Sequence, residues 1–348
     1  MVFIQLIDFK NELWYNFIDI IVFGGKMSFP VFSKFFYSNL NAAEKKVYDK
    51  LLVSWQCLNE KTTIRSTIGS VDFNKVFNAL LNDIPEFYYV DFSQITITQS
   101  FSLVHISAKL KYSKNEVESD KKKIDSIVRK IIKSVGNNQI LSIHDYMVNN
   151  IKYSSRFNDA DVYGIKGALL NNEAVCEGYA RTFKLFCDYL KIPCIVIFGT
   201  ATDSNGKTEA HAWNIVRVKN QNYHMDVTWN RNYKHDGGIP LYYCVSDELI
   251  QGDHYWNTAK WPACSVKGKV ESLIVSINSP KDLKESIRST IINKKNRLLI
   301  RFSKHFENAE QVSKQIEMAI FSLGFNNCSG YGISYNKKLN CCIVNFKY

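Results

Sequence analysis

Val175-Cys176-Glu177-Gly178-Tyr179-Ala180 opens the stretch that decides how this chain folds. Behind it, Tyr179, Phe183, Phe186, Cys187 and Leu190 recur at the spacing of one helical face. The pattern sets Cys176 at the start of a helix, which Pro193 stops around residues 191–192. Residues 194–200 (CIVIFGT) form a short apolar, β-branched run that reads as a buried strand. A polar loop at 203–207 follows. A second strand at 210–218 carries His211 at its start, and a third at 223–228 carries Asp226.

A thiol, an imidazole and a carboxylate in that order suit a cysteine nucleophile, its base and the group that orients the base. A helix N-terminus offers unpaired N–H groups and partial positive charge, which favour a thiolate and an oxyanion. Gly178 and Ala180 are small enough for another backbone or a substrate to approach. The two later strands set a geometric condition. A two-residue turn at 219–220 places Asp226 opposite Trp213 and His211 opposite Thr228. His211 and Asp226 are then diagonal neighbours on one face, about 7 Å apart at the backbone. A turn one residue later leaves them too far apart, and a three-residue turn puts them on opposite faces.

Three motifs, Ala174-Val175-Cys176-Glu177-Gly178-Tyr179-Ala180, His211-Ala212-Trp213-Asn214 and His224-Met225-Asp226-Val227-Thr228-Trp229, resemble the transglutaminase-like cysteine superfamily, and its bacterial members most closely. Ile143-His144-Asp145-Tyr146 with Ile151-Lys152-Tyr153 resembles the segment ahead of the nucleophile. Val245-Ser246-Asp247-Glu248 and Asp253-His254 resemble the segment after the aspartate. The resemblance covers residues 140–265. It implies an α+β chain with a papain-like core, Cys176 as nucleophile, His211 as base and Asp226 as orienter. It implies acyl transfer through a thioester, as a protease or amidohydrolase or as a transglutaminase. The alternative is a module that kept the fold and lost the chemistry. Tyr153 is a candidate for the oxyanion site, and Trp213 and Trp229 for the walls of an acyl-donor channel. His224, on the strand of Asp226, rivals His211 as base. The chain lacks the acidic clusters of calcium-dependent relatives, so the expectation is metal independence, with no metal and no cofactor.

The chain's 348 residues allow two or three domains, and 46% hydrophobic with 22% charged residues describes an ordinary globular protein. The net charge of +11 has no long basic run behind it and reads as a lysine-rich composition or as attraction to an acidic partner; the partner that the resemblance implies is a protein or peptide substrate, with no nucleic acid expected. The nine cysteines show no metal-ligand or C-x-x-C spacing and fit a reducing, cytoplasmic compartment. No stable membrane insertion is expected, because the apolar run at 13–23 is too short to span a bilayer.

Residues 1–30 read as a terminal helix or strand, a vestigial export segment, or sequence upstream of a start at Met27. Residues 31–136 read as an accessory α+β domain. It has a helix at 41–60 capped by Asn41 and Glu44, another at 72–81, strands at 87–91, 95–98 and 103–111, and a helix from Ser113 to Ser134 with Lys121, Lys122 and Lys123 on its solvated face. The catalytic domain is placed at 137–265. Its first helix, 140–150, carries His144 and Asp145, which as helix neighbours are expected to point apart. Residues 266–348 read as a small βαβαββ unit that presents substrate or binds a partner.

Overall fold

The computed structural model describes residues 21–23, 26–65, 71–234, 238–324 and 328–348. The expectations for residues 1–20 lie outside it. A short hairpin, β1 (Ile21–Phe23) and β2 (Lys26–Ser28), leads in, with Met27 inside β2. The N-terminal unit contains α1 (Phe35–Ser38), α2 (Ala42–Gln56), β3 (Lys61–Arg65), α3 (Phe73–Asp83), β4 (Val90–Ser100) and β5 (Leu103–Leu110). The Asn41 side chain accepts from the Ala43 and Glu44 N–H groups while Glu44 reaches back to Asn41, the expected capping box. Val47, Leu51 and Trp55 of α2 are buried beneath a sheet ordered β3-β5-β4. Residues 85–89 are not a strand. Pro85 opens a 3-10 turn, and Pro85, Phe87 and Tyr89 are all buried in it.

The long helix α4 (Lys114–Ser134) ties this unit to the next. Its Val117 joins the N-terminal core, whereas Ile124, Val128 and Ile131 join the core around the central helix. It thus packs against both cores, although it ends before residue 136. Lys121 is not on a solvated face: it is buried in an ion pair with Glu86, which turns in from the 3-10 segment.

After α5 (Gln139–Asn150) come β6 (Lys152–Tyr153), α6 (Ile165–Leu170) and β7 (Glu173–Ala174). The central helix α7 (Cys176–Tyr189) follows, and every residue from Gly178 to Tyr189 is buried. Fully buried Phe183 and Phe186 each contribute about 1.5–3 kcal/mol of burial. A Cβ on Gly178 would stand 2.3 Å from the Val162 carbonyl oxygen, so a glycine is required where that backbone crosses the helix. The N-terminal unit locks the back of α7: Asp188 accepts from the Phe32 and Ser33 N–H groups and pairs with Lys184 at 2.8 Å.

In front of α7 lies an antiparallel sheet made of β8 (Cys194–Thr202), β9 (Thr208–Val218), β10 (Gln221–Met225), β11 (Tyr243–Val245) and, after α8 (Asp247–Ile250), β12 (His254–Tyr255). Its order is β11-β10-β9-β8-β12. The β9–β10 turn uses two residues, Lys219 and Asn220, at φ 48° and 64°, the left-handed pair of a type I′ hairpin. It sets Gln221 opposite Val218 and Met225 opposite Asn214, the register that the site needs.

The C-terminal unit is β13 (Val275–Ile277), α9 (Pro280–Ile292), β14 (Arg297–Phe302), α10 (Ala309–Phe321), β15 (Gly330–Asn336) and β16 (Cys341–Lys347), the expected βαβαββ order. Its sheet runs β13-β14-β16-β15. Leu299, Leu339, Cys341 and Ile343 share one core with Ile197, Trp213, Ile215 and Val245, so this unit is packed onto the five-stranded sheet. No helix among the described residues is long and apolar enough to cross a membrane.

Candidate active site

Cys176 is the first residue of α7, and Val175 before it provides no side-chain cap. The leading N–H groups of the helix therefore stay unsatisfied by side chains, as an anion site requires. The thiol side packs against Ala180, Val196 and Ala212 and remains part-exposed. β6 runs parallel to β7 with Tyr153 beside Ala174, which carries the Tyr153 ring to the approach of Cys176. Burial, then the neighbouring Cys176, raises the Tyr153 hydroxyl pKa, so it stays protonated as a donor.

His211 projects from β9 with its Nε2 2.7 Å from Asp226 Oδ2. Its imidazole neighbours the Cys176 thiol, which adds to the hold on its proton. Burial pushes the His211 pKa down, but Asp226 and then Cys176 outweigh it and raise it to about 10. Asp226 is not in a strand. β10 ends at Met225, after a bulge, and the chain turns. There the Asp226 N–H donates to the Tyr242 carbonyl and Oδ1 accepts from the Trp229 N–H at 3.0 Å. Burial opposes the Asp226 charge, yet His211 and His254 hold the carboxyl far below the usual range.

Sequence reasoning gave His254 no role, though Asp253-His254 stood among the quoted segments. β12 pairs with β8, His254 opposite Ala201, and sends His254 to the far side of Asp226. Its Nε2 lies 3.0 Å from Asp226 Oδ2 and its Nδ1 2.5 Å from Asp253 Oδ1. Asp253 in turn accepts from the Tyr242 hydroxyl at 2.6 Å, and that hydroxyl accepts from Asn336 Nδ2 at 2.9 Å. A buried chain of hydrogen bonds thus runs from the C-terminal hairpin to the imidazole beside Cys176.

The two tryptophans part company. Trp213 is 1% exposed and stacks on His211 at 5.8 Å. Trp229 is part-exposed, lies 5.6 Å from the His211 ring and lines a cavity. His224 belongs to a second group. Its Nδ1 accepts from the Trp213 indole N–H at 2.9 Å, and its Nε2 donates to Asp247 at 2.7 Å, beside buried Cys264. Burial lowers the His224 pKa, so both ring nitrogens are committed in the neutral form. His144 is buried between Tyr233 and Tyr243, and its Nδ1 does meet Asp145, at 2.9 Å. The short Asp145 side chain folds back, where the Tyr233 hydroxyl also donates to it.

His211, Asp226 and His254, and separately His224, Asp247 and Cys264, are close enough to be weighed as metal donors. In both groups the imidazole–carboxylate contacts are hydrogen bonds of 2.7–3.0 Å.

Residues 114–227 match the family model of the Transglutaminase-like superfamily, from the first residue of α4 to one past Asp226. That segment is a transglutaminase-like domain. His254 and the C-terminal unit lie beyond the match. Solved structures similar to this chain include a candidate cysteine protease from Cytophaga hutchinsonii (14% identity, TM-score 0.27, 39% of this chain and 61% of that one). A TGase matches at 12% identity and TM-score 0.30, over 63% of this chain and 59% of that one. The periplasmic domain of TgpA from Pseudomonas aeruginosa, bound to ethylmercury, matches at 15% identity and TM-score 0.25, over 36% and 55%. The matches thus span about three-fifths of those chains. No curated protein matches.

Proposed function

We propose that this chain is a cysteine acyl-transfer enzyme acting on protein or peptide amides, with Cys176 as nucleophile, His211 as base and Asp226 as orienter. One observation carries the reading: an imidazole held at 2.7 Å by a buried carboxylate neighbours a part-exposed thiol at a helix N-terminus that has no side-chain cap. A raised His211 pKa favours imidazolium, the partner a thiolate needs. The thiolate sulfur attacks the amide carbonyl carbon. The N–H groups opening α7, with the Tyr153 hydroxyl as a further donor, stabilise the oxyanion. Collapse breaks the C–N bond, His211 gives its proton to the departing amine, and a thioester remains. An amine or water, deprotonated by His211, then releases the acyl group, giving cross-linking in the first case and hydrolysis in the second.

Brief iodoacetamide treatment at about pH 6, read by mass spectrometry on wild type and His211→Ala, tests this. Cys176 is expected to be labelled ahead of the other cysteines, and His211→Ala to slow it. Equal labelling of all cysteines, or indifference to His211, leaves a transglutaminase-like domain without the chemistry.

A further inference from the structure

A cavity of about 580 Å³ lies between the transglutaminase-like domain and the C-terminal hairpin. Trp229, Asn230 and Arg231 form one wall, and Asn336, Lys337 and Lys338 of the β15–β16 turn form the other. Two of these residues touch the catalytic group from behind. Trp229 packs against His211. The Arg231 guanidinium sits 4.6 Å over the Tyr153 ring, which borders Cys176.

Asn230 is built into the wall. It is 1% exposed, and its Oδ1 accepts from the Tyr242 N–H at 3.0 Å, which fixes the amide orientation. The charges select the molecule. Arg231, Lys337 and Lys338 line the space with two carboxylates. Asp203 is held by its own turn, accepting from the Asn205 and Lys207 N–H groups, and Asp253 is fully buried against Tyr242 and His254. Three cations suit the carboxylates of an acidic segment.

We propose that this cavity is a substrate subsite that takes an acidic segment of the polypeptide whose amide is presented to Cys176. The assignment deepens the acyl-transfer reading and rests on it. It gives the C-terminal unit a task, since Lys337 and Lys338 lie on a turn whose flanking strands are packed onto the five-stranded sheet.

The test uses full-length protein carrying Cys176→Ala, so that binding is read without turnover. The probe is a short fluorescein-labelled peptide with one glutamine among glutamates, against an analogue with serines for the glutamates, followed by anisotropy. The acidic peptide is expected to bind about tenfold tighter, as several part-exposed charge contacts would give, with the gain falling as salt rises. Lys337→Ser/Lys338→Ser, made on an exposed turn, is expected to remove that gain. Equal binding of the two peptides, or a gain that survives the double substitution, overturns the proposal. So does a thymidine oligonucleotide that displaces the peptide at lower concentration than the unlabelled peptide itself, since the basic wall would then serve nucleic acid. The labelling of Cys176 in the wild type is read separately. Acidic-peptide binding that depends on the lysines, beside an unreactive Cys176, supports the site while sinking the acyl-transfer reading.

Discussion

Two groups of histidine, aspartate and cysteine stand on either side of Trp213, and only one is arranged for chemistry. In the first, His211 has Asp226 on Nε2 and a part-exposed thiol within reach. In the second, His224 has Asp247 on Nε2, but its Nδ1 is taken by the Trp213 indole N–H, and the nearby Cys264 is fully buried. The environments drive the two imidazoles in opposite directions: His211 is raised to about 10, and His224 is lowered. Burial pushes the Cys264 thiol up, away from reactivity. On the acyl-transfer reading, the same residue types therefore give a base on one side of an indole and a locked strut on the other. What separates them is the partner of the second ring nitrogen and the access of the thiol.

The comparison breaks most easily at its nucleophiles. Cys176→Ala should abolish acyl transfer, and His211→Ala should lower it by about 10³-fold or more. Cys264→Ala should leave the labelling rate of Cys176 unchanged, because no catalytic group touches it. Rapid labelling of Cys264, or a slowed Cys176 in Cys264→Ala, would erase the distinction.

His254 sharpens it next. Asp226 holds two imidazoles on one oxygen, whereas Asp247 holds one. His254→Gln removes a hydrogen bond to a charged group, which contributes about 1.5–3 kcal/mol. If that bond holds Asp226 in place for His211, Cys176 labelling and turnover should fall about tenfold to a hundredfold. An unchanged rate with a lowered Tm would make His254 a structural residue only.

Titration gives a third contrast. A histidine whose pKa is higher in the folded chain stabilises the fold fully below its unfolded pKa, and that help is lost as pH rises through the folded value. For His211 the stabilisation is present at neutral pH and disappears between about 7 and 10. Wild type should therefore lose Tm over that range more steeply than His211→Gln. His224, lowered by burial, has the opposite sign, destabilising the fold as pH falls below its ordinary value of 6.5. Parallel Tm curves for wild type and His211→Gln would contradict the raised value.

Much of the first group was legible because it depends on short-range rules. The helical period after Cys176 and the two-residue turn at 219–220 place three side chains with no knowledge of the rest of the fold. What was missed depends on distant partners. Lys121 looks solvated in a lysine run, and only Glu86, arriving from another element, buries it. His254 finds Asp226 only because β12 pairs with the far edge of β8. The strand β3 alternates strictly in burial, but one of its two buried positions is Thr62, so its hydrophobicity shows no period to read. Trp213, offered as a channel wall, is a core residue packed among both units. The sequence does not show that the C-terminal unit covers that face.

The smallest expected effect isolates the indole itself. Trp213→Phe keeps a ring against His211 and deletes only the N–H that His224 accepts. His224 Nδ1 is then a buried acceptor without a donor, which should lower stability by about 1–3 kcal/mol. Cys176 labelling should change by less than about twofold, since Asp226 still fixes His211. The result would show that Trp213 locks the second group without tuning the first. A large drop in Cys176 reactivity at unchanged stability would show the reverse: the two groups communicate through the indole, and the second histidine belongs to the catalytic machinery after all.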